Sequence, residues 1–290
     1  LRHYVGKIAN ALSMLTDRQG NIPPIGDGDD GRVLKLDTEP YLMVNESLLF
    51  AEDVLEMPGL ADRLTRQGMA LWFGDINKPK KNIKPADLTV CLPDAGLVHI
   101  RRGALNIWLD NGPTGLGLGG MGGHGHNDTT SIVVHLNGEA LLHDPGWYSY
   151  FCSLQTRNQF RGTAAHNTLM IDSEEQARLL SKFVIMDDCT PVKLKLKQYN
   201  NGNVAIYCGH TGYDRLGKGI KLRRLVVLEK RDAFNWSIHV LDRVTSTEPI
   251  QVISHLGSDL SMQLKNARTI MIGNKHQLLL YFGQGKIDLY

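Results

Sequence analysis

From Ala86 onward the sequence breaks into short apolar runs of strand length separated by turn residues, and this texture limits the fold more than any other feature. "GLVHIRR", "ALNIWLD", "NTLMID", "PVKLKLKQY", "NVAIYCG", "KLRRLVVLEK", "FNWSIHVLDRV" and "IQVISHL" are all of this kind. In "SIVVHLNGEALLHD" the pair Asn137 and Gly138 stands between two alternating runs. That is a strong hairpin signal, because both central turn positions need positive φ. Ten or more strands at this spacing predict a mainly β fold, an antiparallel β-sandwich over residues 86–290.

Residues 1–74 follow a different period. Leu1, Tyr4, Val5, Ile8, Leu12 and Leu15 fall on one helical face, and the stripe is already running at the first residue, so we expect helical sequence upstream of it. The first helix should end at "TDRQGN", where Gly20 can cap it. After the Gly- and Pro-bearing loop "NIPPIGDGDDGR", a second helix, "YLMVNESLLFAEDVLE", stops before Pro58, and a third, "LADRLTRQGMALWF", stops at Gly74. Residues 75–85 carry four lysines and two prolines and read as a solvated linker between the helical part and the sandwich.

Lys and Arg number 32 against 30 for Asp and Glu, so the chain lacks the broad basic footprint of a nucleic-acid binder. Its longest apolar runs fall far short of the roughly 20 residues that span a bilayer, so no membrane insertion is expected. Cys91, Cys152, Cys189 and Cys208 form no C-x-x-C pair and read as buried free thiols.

The chemistry concentrates in "MGGHGHNDTTS" and the residues C-terminal to it. His124, His126, His143 and His166 gather within a short span, with His135 on an intervening strand. His124 and His126 are two residues apart, so in an extended chain both side chains point the same way. His126, Asp144 and His166 could meet at one sheet edge as metal ligands, since zinc takes three or four N, O or S donors. Other motif readings fail. "HGHNDT" has Thr129 where a metallo-β-lactamase clasp needs histidine, and a cupin would need a Glu before Glu139. "GDGDDG" does not satisfy the EF-hand pattern and reads as a Gly-rich turn. "GLGLGGMGGHG" lacks the Gly-Lys-Ser/Thr of a phosphate loop, and no G-x-S-x-G is present.

"GGHGHNDTTSIVVHLNGEALLHDPGWYSY" followed by "RNQFRGTAAHNTLMIDSEEQ" resembles the heparinase II/III family of polysaccharide lyases. The shared pattern is an H-x-H loop, a hairpin closing on Asp-Pro-Gly near tyrosines, and an Ala-Ala-His-Asn-Thr element. "PIGDGDDGR" is similar to the family's motif near the end of its helical domain, and "HTGYDRL" with "KLRR" is similar to its later strands. The resemblance implies an (α/α) toroid followed by a β-sandwich, with residues 1–74 as the remnant of that toroid. It further implies cleavage of acidic, uronate-containing polysaccharide by β-elimination, in the periplasm or outside a bacterial cell. His124 matches the catalytic histidine, and His126, Asp144 and His166 match the ligands of one zinc or similar divalent ion. The upstream toroid, a partner within the same protein, would supply the tyrosine acid and the group that neutralises the substrate carboxylate.

Such a reaction needs stabilisation of a developing enediolate together with a base and an acid, roles that suit His and Tyr. Tyr148, Tyr150 and Arg161 are candidates for substrate contact; rim packing is the plainer reading for the two tyrosines, and surface solvation for Arg157. The metal would position rather than catalyse, orienting His124 from behind. Two further readings stay open: a non-catalytic sandwich that binds acidic glycan, and a zinc-dependent hydrolase using a vacant coordination position.

Overall fold

A computed structural model describes residues 2–17, 20–28, 44–53, 56, 86–114, 122–186, 189–232, 235–266, 269–272 and 278–281. Strands β1 (Leu88–Leu92), β2 (Leu97–Arg102), β3 (Leu105–Asp110), β4 (Ile132–Leu136) and β5 (Glu139–Leu142) form an antiparallel meander whose spatial order follows the chain. The β4–β5 turn has Asn137 at φ 55° and Gly138 at φ 85°, the twist-matched hairpin that the Asn-Gly pair predicts. After β6 (Leu169–Ile171) and the small hairpin β7 (Leu179–Ser181) and β8 (Val184–Ile185), the chain builds a second sheet. It consists of β9 (Lys195–Gln198), β10 (Val204–His210), β11 (Lys221–Lys230) and β12 (Trp236–Thr245), in spatial order β12-β11-β10-β9. Next come β13 (Val252–Ser254), which pairs with β6, and a three-stranded sheet of β14 (Met262–Asn266), β15 (Thr269–Ile272) and β16 (Leu278–Tyr281).

The two larger sheets face each other. Val98, Ile100, Ile107, Leu109 and Val134 of the meander pack with Val204, Ile206, Val226 and Leu228 of the second sheet in one buried cluster. On β11 burial alternates residue by residue, with Leu222, Arg224, Val226 and Leu228 turned inward. This is the antiparallel sandwich that the strand spacing predicts.

The helical part docks on the outer face of the meander. Helix α1 (Arg2–Leu15) ends with carbonyls that have no partner inside the helix. Strand side chains supply the donors: His99 Nδ1 lies 2.7 Å from Met14 O, Trp108 Nε1 2.7 Å from Leu15 O, and Arg101 Nη1 3.1 Å from Thr16 O. His99 lies parallel to Trp108 with ring centroids 4.6 Å apart, and burial pushes its pKa down to about 4. Helix α2 (Asn45–Asp53) buries Leu48 and Leu49 against Leu12 of α1. Gly20 does not cap α1 as expected: the helix ends at Leu15, and Gly20, at φ 85°, closes a separate turn in which its N–H donates to Asp17 O at 3.3 Å. At the other end of the predicted stripe Tyr4 and Ile8 are 68% and 62% exposed. The third helix and the linker expected over residues 60–85 lie outside the described residues.

Several elements escape the sequence reading, strand β1 and the β7–β8 hairpin among them, and one is a helix. Helix α3 (Leu154–Arg161) starts at Ser153, whose Oγ accepts from Thr156 N at 3.0 Å, and it buries Arg157 and Arg161. All four cysteines are free; Cys189 and Cys208 are buried, and burial raises both thiols to about 12, whereas Cys91 and Cys152 are only half-buried. No helix among the described residues is long and apolar enough to cross a membrane.

Candidate functional site

Three loops at one rim of the sandwich carry the candidate residues. His124 and His126 lie on the β3–β4 connection, Asp144 follows β5, and His166 precedes β6. Gly125 lets the histidine loop approach closely, since a Cβ there would stand 2.2 Å from Thr114 O. Asp144 Oδ1 accepts from Gly146 N at 2.9 Å, closing the Asp-Pro-Gly turn, and Gly146 has φ +60°. The residues after His166 tie the loops together. Asn167 Nδ2 donates to Ile132 O at 2.8 Å and His143 O at 2.7 Å, and Thr168 Oγ1 donates to Thr129 O at 3.1 Å. The His-Asn-Thr motif is therefore one candidate ligand followed by two staples.

His126, Asp144 and His166 are all buried, and each offers a ligand atom lying within 4.8 Å of those of the other two. Each imidazole has a carboxylate on one nitrogen: His126 Nε2 lies 3.0 Å from Asp27 Oδ1, and His166 Nδ1 lies 2.9 Å from Asp144 Oδ2. The remaining nitrogens, His126 Nδ1 and His166 Nε2, are buried without a hydrogen-bond partner. Leaving such a group unsatisfied costs about 1–3 kcal/mol, so two in one spot call for an occupant. At His126 the carboxylate on one nitrogen is not itself a candidate ligand and the opposite nitrogen has no partner, the arrangement that holds a metal-ligating histidine in one tautomer; His166 pairs instead with Asp144, itself a candidate ligand. Two imidazoles and a carboxylate fit a divalent ion of the zinc type.

The electrostatics agree. Burial alone would lower the His166 pKa, but Asp144, with Asp128 and Asp110 further off, overrides it and raises it to about 9. Burial pushes His126 down, so that imidazole is neutral. Burial, with help from Asp144, pushes Asp110 up to about 6, and Asp128 rises well above the carboxylate range. An incoming cation therefore meets one ionised carboxylate, one neutral imidazole and one imidazolium. It must displace the His166 proton, so calorimetric metal titration at pH 7 in buffers of different ionisation enthalpy should register about one proton released per ion. Apparent affinity should rise about tenfold per pH unit up to the neighbourhood of pH 9, where the proton is already gone. An affinity that does not change between pH 6 and pH 8 would refute this assignment.

His124 stands outside the cluster with its side chain 67% exposed. Its Nδ1 lies 2.9 Å from the Tyr150 hydroxyl and 3.5 Å from Asp27 Oδ2. Tyr150 is fixed by neighbours: Trp147 and Phe183 have ring centroids 4.7 and 5.5 Å from its own, and the Arg157 guanidinium lies 5.2 Å from its ring centre. Tyr148 is 65% exposed and stacks on Phe160 of α3.

Two arginines depart from the expectation. Arg161 does not face a substrate: it is fully buried, and its guanidinium donates to Ser181 O, Lys182 O and Asn158 Oδ1, pinning α3 to the β7–β8 hairpin. Arg157 is not solvated but buried, with both terminal nitrogens on the Asp27 carboxylate. Sequence reasoning passes over Asp27, because "GDGDDG" reads as a Gly-rich turn with no chemistry of its own. The available signal is its place in "PIGDGDDGR", one of the segments that carry the resemblance. Burial would raise its pKa, but hydrogen bonds from His126 and Arg157 hold the carboxyl below the ordinary range.

The sandwich with this rim defines a class. The structure is similar to heparan sulfate lyase HepC from Pedobacter heparinus, with TM-score 0.60 and 18% identity over 95% of this chain and 38% of that one. It is also similar to a heparinase III gene product, with TM-score 0.59 and 16% identity over 89% of this chain and 35% of that one. A heparinase III crystal structure gives TM-score 0.60 and 16% identity over 93% of this chain and 39% of that one. At these identities the likeness establishes a heparinase-type β-sandwich fold, and the chain spans 35–39% of the length of these three proteins. Residues 87–289 match the family profile described as heparinase II/III-like, C-terminal, and the chain belongs to that family. No curated protein sequence matches it significantly.

Proposed function

We propose that the full-length protein is a polysaccharide lyase acting on uronate-containing acidic polysaccharide by β-elimination. In this reading residues 1–74 close an (α/α) toroid, residues 75–85 link it to the sandwich, and substrate lies between the two. The observation that supports it most is the exposed His124–Tyr150 pair, joined through Asp27 to His126 of the buried His126–Asp144–His166 cluster. An exposed imidazole hydrogen-bonded to a phenol can pass a proton in either direction at the protein surface, where a polymer can reach it.

The reaction removes the proton next to the uronate carboxylate and forms a carbon–carbon double bond as the glycosidic oxygen leaves. His124 takes or relays that proton; Tyr150 holds Nδ1 and thereby settles which ring nitrogen faces the sugar. Exposed Tyr148 offers a ring to the substrate. Toroid residues supply the tyrosine acid and the group that neutralises the carboxylate. When bound, a zinc-type ion supplies the cross-link that ties the histidine loop to the Asp-Pro-Gly turn and to His166. The burial of all three ligands favours this positioning role over a hydrolase in which metal-bound water must meet a polymer. A polymeric substrate goes with a periplasmic or secreted enzyme.

The test is to incubate full-length protein with heparan sulfate, chondroitin, hyaluronan and alginate while following ultraviolet absorbance. Unsaturated uronate is expected on at least one. Saturated reducing ends would indicate hydrolysis, and tight binding without cleavage would indicate a glycan-binding module.

A further inference from the structure

The segment before Asp27 belongs to the helical part of the chain, yet it is threaded into the rim of the sandwich. Asp27 N donates to His124 O at 3.1 Å, and Gly26, at φ +72°, would be strained with any side chain and its Cβ crowded at 3.0 Å from that same carbonyl. A Cβ on Gly146 would stand 2.7 Å from Pro24 Cβ, so the Asp-Pro-Gly turn closes on the segment from the other side. The Asp27 side chain is completely buried. Its Oδ1 lies 3.0 Å from His126 Nε2 and 3.0 Å from Arg157 Nη1; its Oδ2 receives Arg157 Nη2 and lies 3.5 Å from His124 Nδ1. Arg157 is anchored in turn, donating from Nη2 to Gly123 O at 2.8 Å and from Nε to Lys182 O at 2.6 Å.

We propose that Asp27, clamped by Arg157, is the positioning residue that sets the His126 tautomer for the metal and couples that histidine to His124. This role rests on the reading of His126, Asp144 and His166 as metal ligands. A carboxylate can only accept, so it keeps the His126 proton on Nε2 and leaves the Nδ1 lone pair, buried and without a hydrogen-bond partner, as the atom offered to an ion. The same carboxylate borders His124, so one buried group orders both histidines of the H-x-H loop. Arg157 makes this possible because its planar fork engages both oxygens at once and fixes the plane of the carboxylate.

In Asp27→Asn an amide replaces one oxygen by a donor. In either orientation it loses one of the two Arg157 bonds, and with the amide nitrogen in the Oδ1 place it also presents an N–H to His126 and drives the ring proton onto Nδ1. The test is a cobalt(II) titration of the full chain, read by visible absorption and by competition with a chelator, with circular dichroism as the check on folding. Asp27→Asn is expected to bind cobalt about 10–100-fold more weakly than wild type, with a shifted absorption band. Arg157→Lys, which keeps the charge but loses the fork, should fall between the two and guards against a misfolded Asn variant. If wild type binds cobalt and both variants match its affinity within about threefold with the same spectrum, the positioning role is overturned and the metal reading stands. If wild type takes up no cobalt, both are overturned.

Discussion

Under the lyase reading proposed above, alanine in place of His124 is expected to lower kcat of the full-length protein on a uronate polymer by about 10²–10⁴, the usual worth of a positioned acid or base. Metal content and thermal stability should stay close to wild type. The reason is the environment of the side chain: it is mostly exposed, it touches the Tyr150 hydroxyl and the edge of Asp27, and it fills no part of the core. Its loss removes a proton carrier and leaves the scaffold intact. The measurement is steady-state appearance of unsaturated uronate, with metal analysis on the same sample. Wild-type turnover in His124→Ala would remove this residue from the mechanism, even with the fold and family unchanged. Tyr150→Phe separates the two members of the pair. If the phenol only orients the imidazole, its removal should cost less than that of His124.

His166→Ala should have the opposite profile, with a large effect on the protein itself. Metal is expected to fall from one ion per chain to none, since the variant keeps only His126 and Asp144 of the three converging donors. The substitution also leaves Asp144 buried without the imidazolium opposite it. Breaking a buried pair by removing one partner costs about 3–5 kcal/mol, because the survivor is an uncompensated charge. Chemical denaturation with and without chelator separates the two contributions: wild type should weaken on metal removal, while His166→Ala should be weak in both conditions and insensitive to chelator. Equal metal content in wild type and variant would exclude His166 as a ligand. Removing Asp144 as well should cost less than the sum of the two single changes, since each single change leaves the other group unpaired.

The antiparallel sandwich is legible in the sequence because its signals are local. Strands such as β10 and β11 carry their apolar residues in runs or strict alternation, and the Asn137–Gly138 turn writes its backbone angles in residue type. Helix α3 is not legible for a physical reason: the face it buries is made of Arg157 and Arg161, so a search for an apolar stripe finds nothing. The burial of those guanidiniums is compensated by Asp27 and by the carbonyls of Ser181 and Lys182, partners far away in sequence. The same blindness puts Arg161 at the substrate and leaves Arg157 in solvent. Strand β1 is passed over because "LTVCL" is brief and only half-buried along its length. Within the site, His124, His126, Asp144 and His166 stand out by residue type and spacing. The groups that orient them do not, because an aspartate in a glycine-rich turn looks like a turn until something folds onto it.

The docking of α1 on the meander bears on what kind of helix can sit there. The last turn of the helix is completed by an indole, an imidazole and a guanidinium that belong to strands β2 and β3. Those three side chains are themselves buried, and without the helix end they would lose the acceptors they were folded to meet. A helical partner that ended at any other point would deprive those three side chains of these acceptors, so the length of α1 and the residues facing it on β2 and β3 constrain one another.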